Sequence, residues 1–156
     1  MGAGILPTSF NGVCMVFLLG KEQNNQWSDF GGSSLYKHEP KFKTAIREGH
    51  EELSGLLGSP AELEYQVKNN YIAPYNCDRY TTFMFNVEYD EMLPKYFNRN
   101  YEFVTNTTPD IINNHNGLYE KTEIRWFTAE EIYKLELRPF YIDIIYSIIN
   151  TRYNIL

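Results

Sequence analysis

The segment from Pro40 to Leu53 constrains the fold of this chain more than any other, because it combines an apolar stripe and an acidic face in one predicted helix. Glu48, Glu51 and Glu52 stand at positions i, i+3 and i+4, so in a helix their side chains share one face. The other face can pack on a core. Its apolar residues at helical spacing are Phe42, Ala45, Ile46, Gly49 and Leu53. We therefore expect the acidic face to point toward a cleft or the solvent.

The residues on both sides of this segment mark its ends. Glu39 followed by Pro40 is typical of a helix start, since proline at the first helical position loses no hydrogen bond and acidic groups favour that end. Ser54-Gly55 is a stop signal. Upstream, Gly31-Gly32 predicts a glycine turn that leads toward the helix.

Three glutamates on one helix face repel one another, and a divalent cation would remove that repulsion. An all-oxygen carboxylate cluster suits a hard ion such as Mg²⁺ or Mn²⁺ better than zinc. Clustered glutamates are more often a solvated face, and the three acids alone favour that alternative. Arg47, directly before Glu48, and the upstream glycines shift the interpretation toward a metal site.

These residues resemble the signature of the Nudix hydrolase family. That signature is Gly, five residues, Glu, seven residues, Arg-Glu, an aliphatic, any residue, Glu-Glu, any residue, Gly and another aliphatic. Glu39, seven residues, and then Arg47-Glu48 and Glu51-Glu52 match it in type and spacing. Six residues separate Gly32 from Glu39, Gly49 takes the aliphatic position, and Ser54-Gly55 replaces the final pair. None of these departures touches the acids.

The resemblance implies metal-dependent hydrolysis of a phosphoanhydride bond. It implies Mg²⁺ or Mn²⁺ as the cofactor, held by Glu48, Glu51 and Glu52, with the Gly32 carbonyl as a further ligand. The catalytic residues would be Glu51, Glu52, Arg47 and one acid from outside this segment. Glu123 is the first choice for that acid, and Glu120 is the other candidate.

Arg47 would orient the acids rather than touch the substrate. Glu39 is its natural partner in an ion pair, although a simple helix-start charge is an equal alternative for Glu39. His50 lies between the acids but points in another helical direction, so we expect a surface or packing histidine.

Several aromatic and basic residues are candidates for binding a substrate. Flat rings can stack on a nucleobase, and the candidate wall consists of Trp27, Phe30 and Tyr80, with Tyr71 as a fourth ring. Each of these is more often a core residue. Lys95, Arg99 and His115 could meet phosphates, although a solvated loop is the more ordinary interpretation.

The flanking segments predict an α/β/α sandwich with a mixed β-sheet. Asn11-Gly12 joins two apolar runs and indicates a hairpin. Tyr80 to Tyr89 and Glu123 to Phe127 are predicted strands, and Asp90 to Asn116 is predicted to be an extended connection. Thr128 opens a predicted helix through Leu135 with a capping box, and a final helix from Pro139 to about Tyr153 should cover one face of the sheet.

The composition agrees with one domain over residues 1–156. A chain of 156 residues that is 43% hydrophobic can bury a sizeable core. Cys14 in an apolar strand predicts a core thiol and an intracellular, cytoplasmic protein, and no signal peptide or membrane span is visible. The abundance of Asn, Tyr and Ile hints at an AT-rich source such as a protist or large DNA virus.

A net charge of −6 argues against broad binding to nucleic acid, which depends on phosphate neutralisation. The resemblance implies a small nucleotide-derived substrate: a nucleoside diphosphate linked to another moiety, of the dinucleoside polyphosphate, nucleotide sugar or nucleoside triphosphate type. An mRNA decapping hydrolase acting on capped RNA is one alternative, and a non-catalytic nucleotide-binding module is another. Either a monomer or a homodimer is compatible with the sequence.

Overall fold

The structure is a computed structural model that describes residues 1–113 and 117–153. Within these residues, seven strands form one mixed sheet and six helices surround it. The strands are β1 (Gly2–Phe10), β2 (Met15–Glu22), β3 (Trp27–Ser28), β4 (Phe30–Ser33), β5 (Tyr71–Cys77), β6 (Tyr80–Asn86) and β7 (Lys121–Thr128). The helices are α1 (Lys41–Glu52), α2 (Pro60–Asn69), α3 (Leu93–Thr107), α4 (Asp110–Asn113), α5 (Ala129–Ile132) and α6 (Pro139–Tyr153).

The sheet has the order β3-β2-β1-β6-β5, with β4 paired to β1 and β7 paired to β2. The pairing of β1 with β6 is parallel, and the other pairings of named strands are antiparallel. Strands alternate their side chains between the two faces, and this chain uses both faces. Ile5, Leu18 and Phe85 pack with α1, α2 and α3, whereas their neighbours Leu6 and Leu19 pack with α6. The predicted α/β/α sandwich is confirmed.

Several predicted elements are present at their predicted places. Asn11-Gly12 begins the hairpin loop between β1 and β2: the Asn11 side chain accepts hydrogen bonds from two backbone amides, and Gly12 has φ of +94°. Helix α1 has the predicted bounds within one residue, and its apolar stripe packs in the core beside β1 and β4. Ser54 and Gly55 end it with positive φ angles. Helix α6 covers the opposite face.

Four predictions about local structure are wrong. Gly31 and Gly32 do not form a turn, because they are extended residues of β4 that pair with β1. The segment from Asp90 to Asn116 contains α3 and α4 rather than an extended connection, since buried Leu93, Phe97 and Val104 provide a helical stripe within its polar sequence. The helix after Thr128 is capped as predicted but ends at Ile132. Cys14 is a half-buried residue of the hairpin loop rather than of a strand.

The capping box of α2 and the edge strand β5 were not predicted. Ser59 accepts a hydrogen bond from the Glu62 amide, and the Glu62 side chain accepts one from the Ser59 amide. Through residue 113 and from 117 to 153, no helix is long and apolar enough to cross a membrane.

Candidate functional site

The three glutamates of α1 lie at its C-terminal end, but they differ in burial. Glu48 and Glu51 are partly exposed, whereas Glu52 is buried. The Glu52 carboxylate turns toward β4 and accepts a hydrogen bond from the Gly31 amide at 2.8 Å. The expectation that the acidic face points toward a cleft or the solvent is therefore wrong for Glu52, which is buried. Helix α1 packs directly on β1 and β4, so its last acid reaches the sheet rather than the surface.

Arg47 connects the acids of α1 to the segment before the helix. Its guanidinium lies 2.6 Å from the Glu48 carboxylate, 3.7 Å from Glu51 and 3.3 Å from Glu39, and it donates to the Ser33 carbonyl at 3.0 Å. The predicted ion pair between Glu39 and Arg47 is therefore present. Glu39 is held in turn by Thr44, whose hydroxyl donates to it at 2.8 Å. A planar guanidinium with several donors suits this bridging position.

Burial dominates the electrostatics of the cluster. It raises the pKa of Glu52 to about 8, and the ammonium of Lys121, 3.8 Å away, opposes this effect. Burial also raises the pKa of Glu48, against the influence of Arg47. For both carboxylates, the neighbouring cation only partly offsets the effect of burial on the pKa.

A hard divalent cation fits the chemistry of this donor set. The candidate donors are carboxylate and backbone oxygens, and desolvated carboxylates gain most from an added cation. Gly32 also leaves room beside them, because a Cβ atom there would lie 2.5 Å from the Glu48 carboxylate. As the side chains stand, however, no three Asp, Glu, His or Cys side chains of residues 1–113 and 117–153 are grouped as ligands of one ion. Arg47 pairs with Glu48 and Glu51, and Glu52 turns inward.

The structure does not bring Glu123 to the acids of α1. Along β7, Ile124 and Trp126 pack on the α1 face of the sheet, so the alternate residues Glu123 and Arg125 belong to the other face. The Glu123 carboxylate is paired with Lys21 at 2.6 Å and with Arg125. The choice of Glu123 is therefore corrected. Glu120, which precedes β7, is near enough that its charge raises the pKa of both Glu48 and Glu52.

Two of the predicted substrate-stacking rings are core residues. Phe30 is fully buried in the core beneath α1, and Trp27 is buried on the other face, edge-on to Phe127. Their prediction as a nucleobase wall is wrong, because strand residues in this sheet have helices packed on both sides. Tyr71 is exposed on the edge strand β5.

Tyr80 lines a cleft with a volume of about 970 Å³. Its ring lies 4.8 Å from that of Phe140, and Arg79 and Arg138 add two positive charges to the cleft wall. The remaining lining residues are Met1, Gly2, Gly31, Gly32, Ser33, Cys77, Asp78, Pro139 and Asp143.

Strand β4 lines this cleft and also contacts the acids, and two of its four residues are glycines without a side chain. A Cβ atom on Gly31 would collide with the Tyr80 hydroxyl, and one on Gly32 would collide with Glu48. Both glycines line the cleft, and Gly31 also donates to Glu52 while Gly32 lies beside Glu48, so the cleft and the acidic cluster meet at this strand.

Sequence reasoning missed two buried charged residues near the site. Asp29 is fully buried and accepts hydrogen bonds from the hydroxyls of Tyr80, at 2.8 Å, and Thr82, at 2.7 Å. Burial raises its pKa to about 6, against those hydrogen bonds. Lys121 is also fully buried. Neither residue belongs to a motif, so only the packing of the strands identifies them.

The other charged candidates lie elsewhere. Lys95 and Arg99 are exposed on α3 and are not among the residues that line the cleft. His115 lies outside the described residues. The ring of His50 contacts the Gly58 carbonyl at 3.1 Å, which agrees with a packing histidine.

Comparison with known proteins relates this fold to solved Nudix structures. The chain is similar to a Nudix hydrolase from M. smegmatis, RenU, with a TM-score of 0.57 and 15% identity over 99% of this chain and 86% of that one. It is also similar to a C. elegans Ap4A hydrolase in a binary complex, with a TM-score of 0.57 and 12% identity over 95% of each chain. The NUDIX domain of Shewanella oneidensis NrtR, complexed with ADP ribose, gives a TM-score of 0.53 and 10% identity over 96% and 86% of the two chains.

No protein-family model matches the sequence, and no curated protein matches it. The structural likeness at these identities establishes that the chain has the Nudix fold.

Proposed function

We propose that this Nudix-fold chain is a metal-dependent pyrophosphohydrolase that cleaves a phosphoanhydride bond in a nucleoside diphosphate linked to another moiety. One observation supports the proposal above all: Glu52 and Glu48 lie against Gly31 and Gly32 of β4, and the same two glycines line the cleft that carries the two arginines. A ligand in the cleft could therefore bring its phosphates close to the acids.

The residues that would hold Mg²⁺ or Mn²⁺ are Glu48, Glu51, Glu52 and the Gly32 carbonyl. Such an ion, when bound, would neutralise charge on the diphosphate and lower the pKa of a bound water. Arg47 is a positioning residue, because its contacts with Glu48 and Glu51 orient both carboxylates. Glu39 keeps Arg47 in place. Glu52 and Glu120 are the acids proposed to take a proton from the attacking water, and Glu120 replaces Glu123 in this role.

The cleft suits a nucleotide with an attached group. The guanidinium groups of Arg79 and Arg138 are the donors that phosphate oxygens prefer, and the rings of Tyr80 and Phe140 offer flat apolar surface for a base or sugar. Two structural neighbours agree with this class, since one is named an Ap4A hydrolase and another was crystallised with ADP ribose. Both compounds join a nucleoside to a second moiety through phosphates.

An mRNA decapping activity is the second candidate function. It would share the acids, but it also needs a path for the RNA chain. The cleft contributes two arginines beside Asp78 and Asp143, and the net charge of −6 does not favour a long polyanion. We therefore place it after hydrolysis of a small substrate.

The proposal is tested by assaying nucleotide release from a panel of Ap4A, ADP-ribose, nucleoside triphosphates and capped RNA with Mg²⁺ or Mn²⁺. We expect turnover of one of the first three, and a loss of about 10²-fold or more in Glu52→Gln. Glu64→Gln is the matched control, because Glu64 lies on α2 in ion pairs with Lys43 and Lys68. Full activity in Glu52→Gln would refute the mechanism. Nucleotide binding without turnover would instead indicate a non-catalytic module.

A further inference from the structure

Lys121 is a fully buried lysine whose ammonium lies among carboxylates. It donates to the Ser28 hydroxyl at 2.9 Å and to the Glu22 carboxylate at 3.2 Å, and it lies 3.8 Å from the Glu52 carboxylate. Its positive charge also acts on buried Asp29. Lysine is almost never fully buried unless it is paired, so we ask which of these partners accounts for the buried charge.

The surroundings of Lys121 accommodate its long side chain. A Cβ atom on Gly20 of the neighbouring strand would lie 2.8 Å from the Lys121 Cδ atom, so a glycine there makes room for the lysine stem. Glu22 contacts both Lys121 and Arg138, which lines the cleft. The ammonium is thus held from two sides while it faces Glu52.

We propose that Lys121 is a resident counter-cation for Glu52. In the metal-free protein the ammonium supplies the positive charge that the buried carboxylate lacks, and together with the Gly31 amide it holds Glu52 in its inward orientation. Lys121 is therefore a positioning residue that competes with a divalent ion for Glu52. This inference rests on the proposed metal-binding role of Glu52.

The competition predicts the effect of removing the charge. Lys121→Met keeps an unbranched apolar stem but lacks the ammonium, so a bound cation no longer meets a positive charge beside Glu52. We expect the apparent Mn²⁺ dissociation constant to fall on the order of tenfold, and the Mn²⁺-induced rise in melting temperature to exceed that of the wild type. In EDTA the variant should melt at a lower temperature than the wild type, because Glu52 and Glu22 lose their shared partner.

The experiment measures free Mn²⁺ by electron paramagnetic resonance and thermal unfolding with EDTA or Mn²⁺. Lys121→Arg retains the charge and should keep the wild-type Mn²⁺ affinity. Lys21→Met is the matched control, because it removes a lysine on β2 that pairs with Glu123 at 2.6 Å, away from Glu52. It should leave the Mn²⁺ affinity unchanged.

If Lys121→Met does not fold, the double variant Lys121→Met/Glu52→Gln provides the test, because it removes both charges together. Recovery of folding in EDTA by the double variant supports the pairing, and failure of the double variant overturns it. If wild type binds Mn²⁺ and Lys121→Met binds it no more tightly, the inference is overturned while the proposed function stands. If wild type and variant both bind no Mn²⁺, the proposed metal chemistry is overturned together with the inference.

Discussion

Asp29→Asn should flatten the dependence of stability on pH between about pH 4 and pH 7. Asp29 is fully buried, and burial raises the pKa of its carboxyl from 3.8 to about 6 despite hydrogen bonds from Thr82 and Tyr80. Between those two values the folded protein holds a proton that the unfolded chain releases. The contribution of Asp29 to the free energy of unfolding is therefore most favourable below about pH 4, and it falls as the pH rises through 6.

The size of this effect follows from the two pKa values. Their difference is about two units, and each unit corresponds to ~1.4 kcal/mol, so the contribution of Asp29 changes by about 3 kcal/mol over the range. Asparagine has a similar shape and does not titrate. The charge of Asp29 also helps to raise the pKa of Glu52. Removing that charge lowers the pKa of Glu52 toward its ordinary value, which also makes stability depend less on pH. The effect on Glu52 therefore adds to that of Asp29 and does not cancel it.

The assay is urea unfolding in EDTA at a series of pH values, followed by the fluorescence of the two tryptophans, Trp27 and Trp126. The quantity of interest is the free energy of unfolding of Asp29→Asn minus that of wild type, which should increase by about 3 kcal/mol from pH 4 to pH 7. Asp143→Asn, which removes an exposed carboxyl of α6, is the control and should give a curve parallel to wild type. A constant difference for Asp29→Asn across this range would refute the reasoning.

Two further predictions concern the packing and capping of helices. Gly49→Ala should lower the free energy of unfolding by about 1 kcal/mol in a urea titration, because a Cβ atom there would lie 2.6 Å from the Ile5 Cγ1 atom. This overpacking outweighs the gain of about 1 kcal/mol in helix propensity. A variant more stable than wild type would contradict the prediction. Ser59→Ala should cost about 1 kcal/mol in the same measurement, because the Glu62 amide loses its hydrogen-bond acceptor, whereas Ser59→Asp should remain close to wild type. Equal stability of Ser59→Ala and wild type would show that the capping box contributes nothing.

Local patterns in the sequence were sufficient for the elements whose signals lie within a few residues. The stripe of α1, the hairpin at Asn11-Gly12 and the capping box at Thr128 all depend on neighbours along the chain, and all three are present. The polar composition of α3 concealed its buried stripe, because Leu93, Phe97 and Val104 are spread over three turns among Asn, Tyr and charged residues. Gly31 and Gly32 predicted a turn, yet both are strand residues. A Cβ atom would collide with Tyr80 and β1 at Gly31 and with Glu48 of α1 at Gly32.

In the candidate site too, features set by neighbours along the chain were predicted, and features set by contacts between strands were not. Spacing along one helix predicted that Glu48, Glu51 and Glu52 would share a face beside Arg47. The contacts of Arg47 agree for Glu48 and Glu51, whereas Glu52 turns inward to Gly31. Which acid from β7 approaches them depends on the strand's alternation and its pairing with β2, which direct Glu123 to the other face.

By itself, the sequence determined the acidic helix, the sandwich of helices around a mixed sheet, and the resemblance to Nudix hydrolases. Only the tertiary structure decided that Trp27 and Phe30 are core, that Tyr80 opens to a cleft, and that Lys121 lies buried beside Glu52. The physical reason is that burial and charge pairing depend on contacts between residues far apart in the chain. Helices α2 to α4 and strands β5 and β6 lie between Glu52 and Lys121 in the sequence, and the pairing of β7 with β2 brings the lysine within reach of the acid.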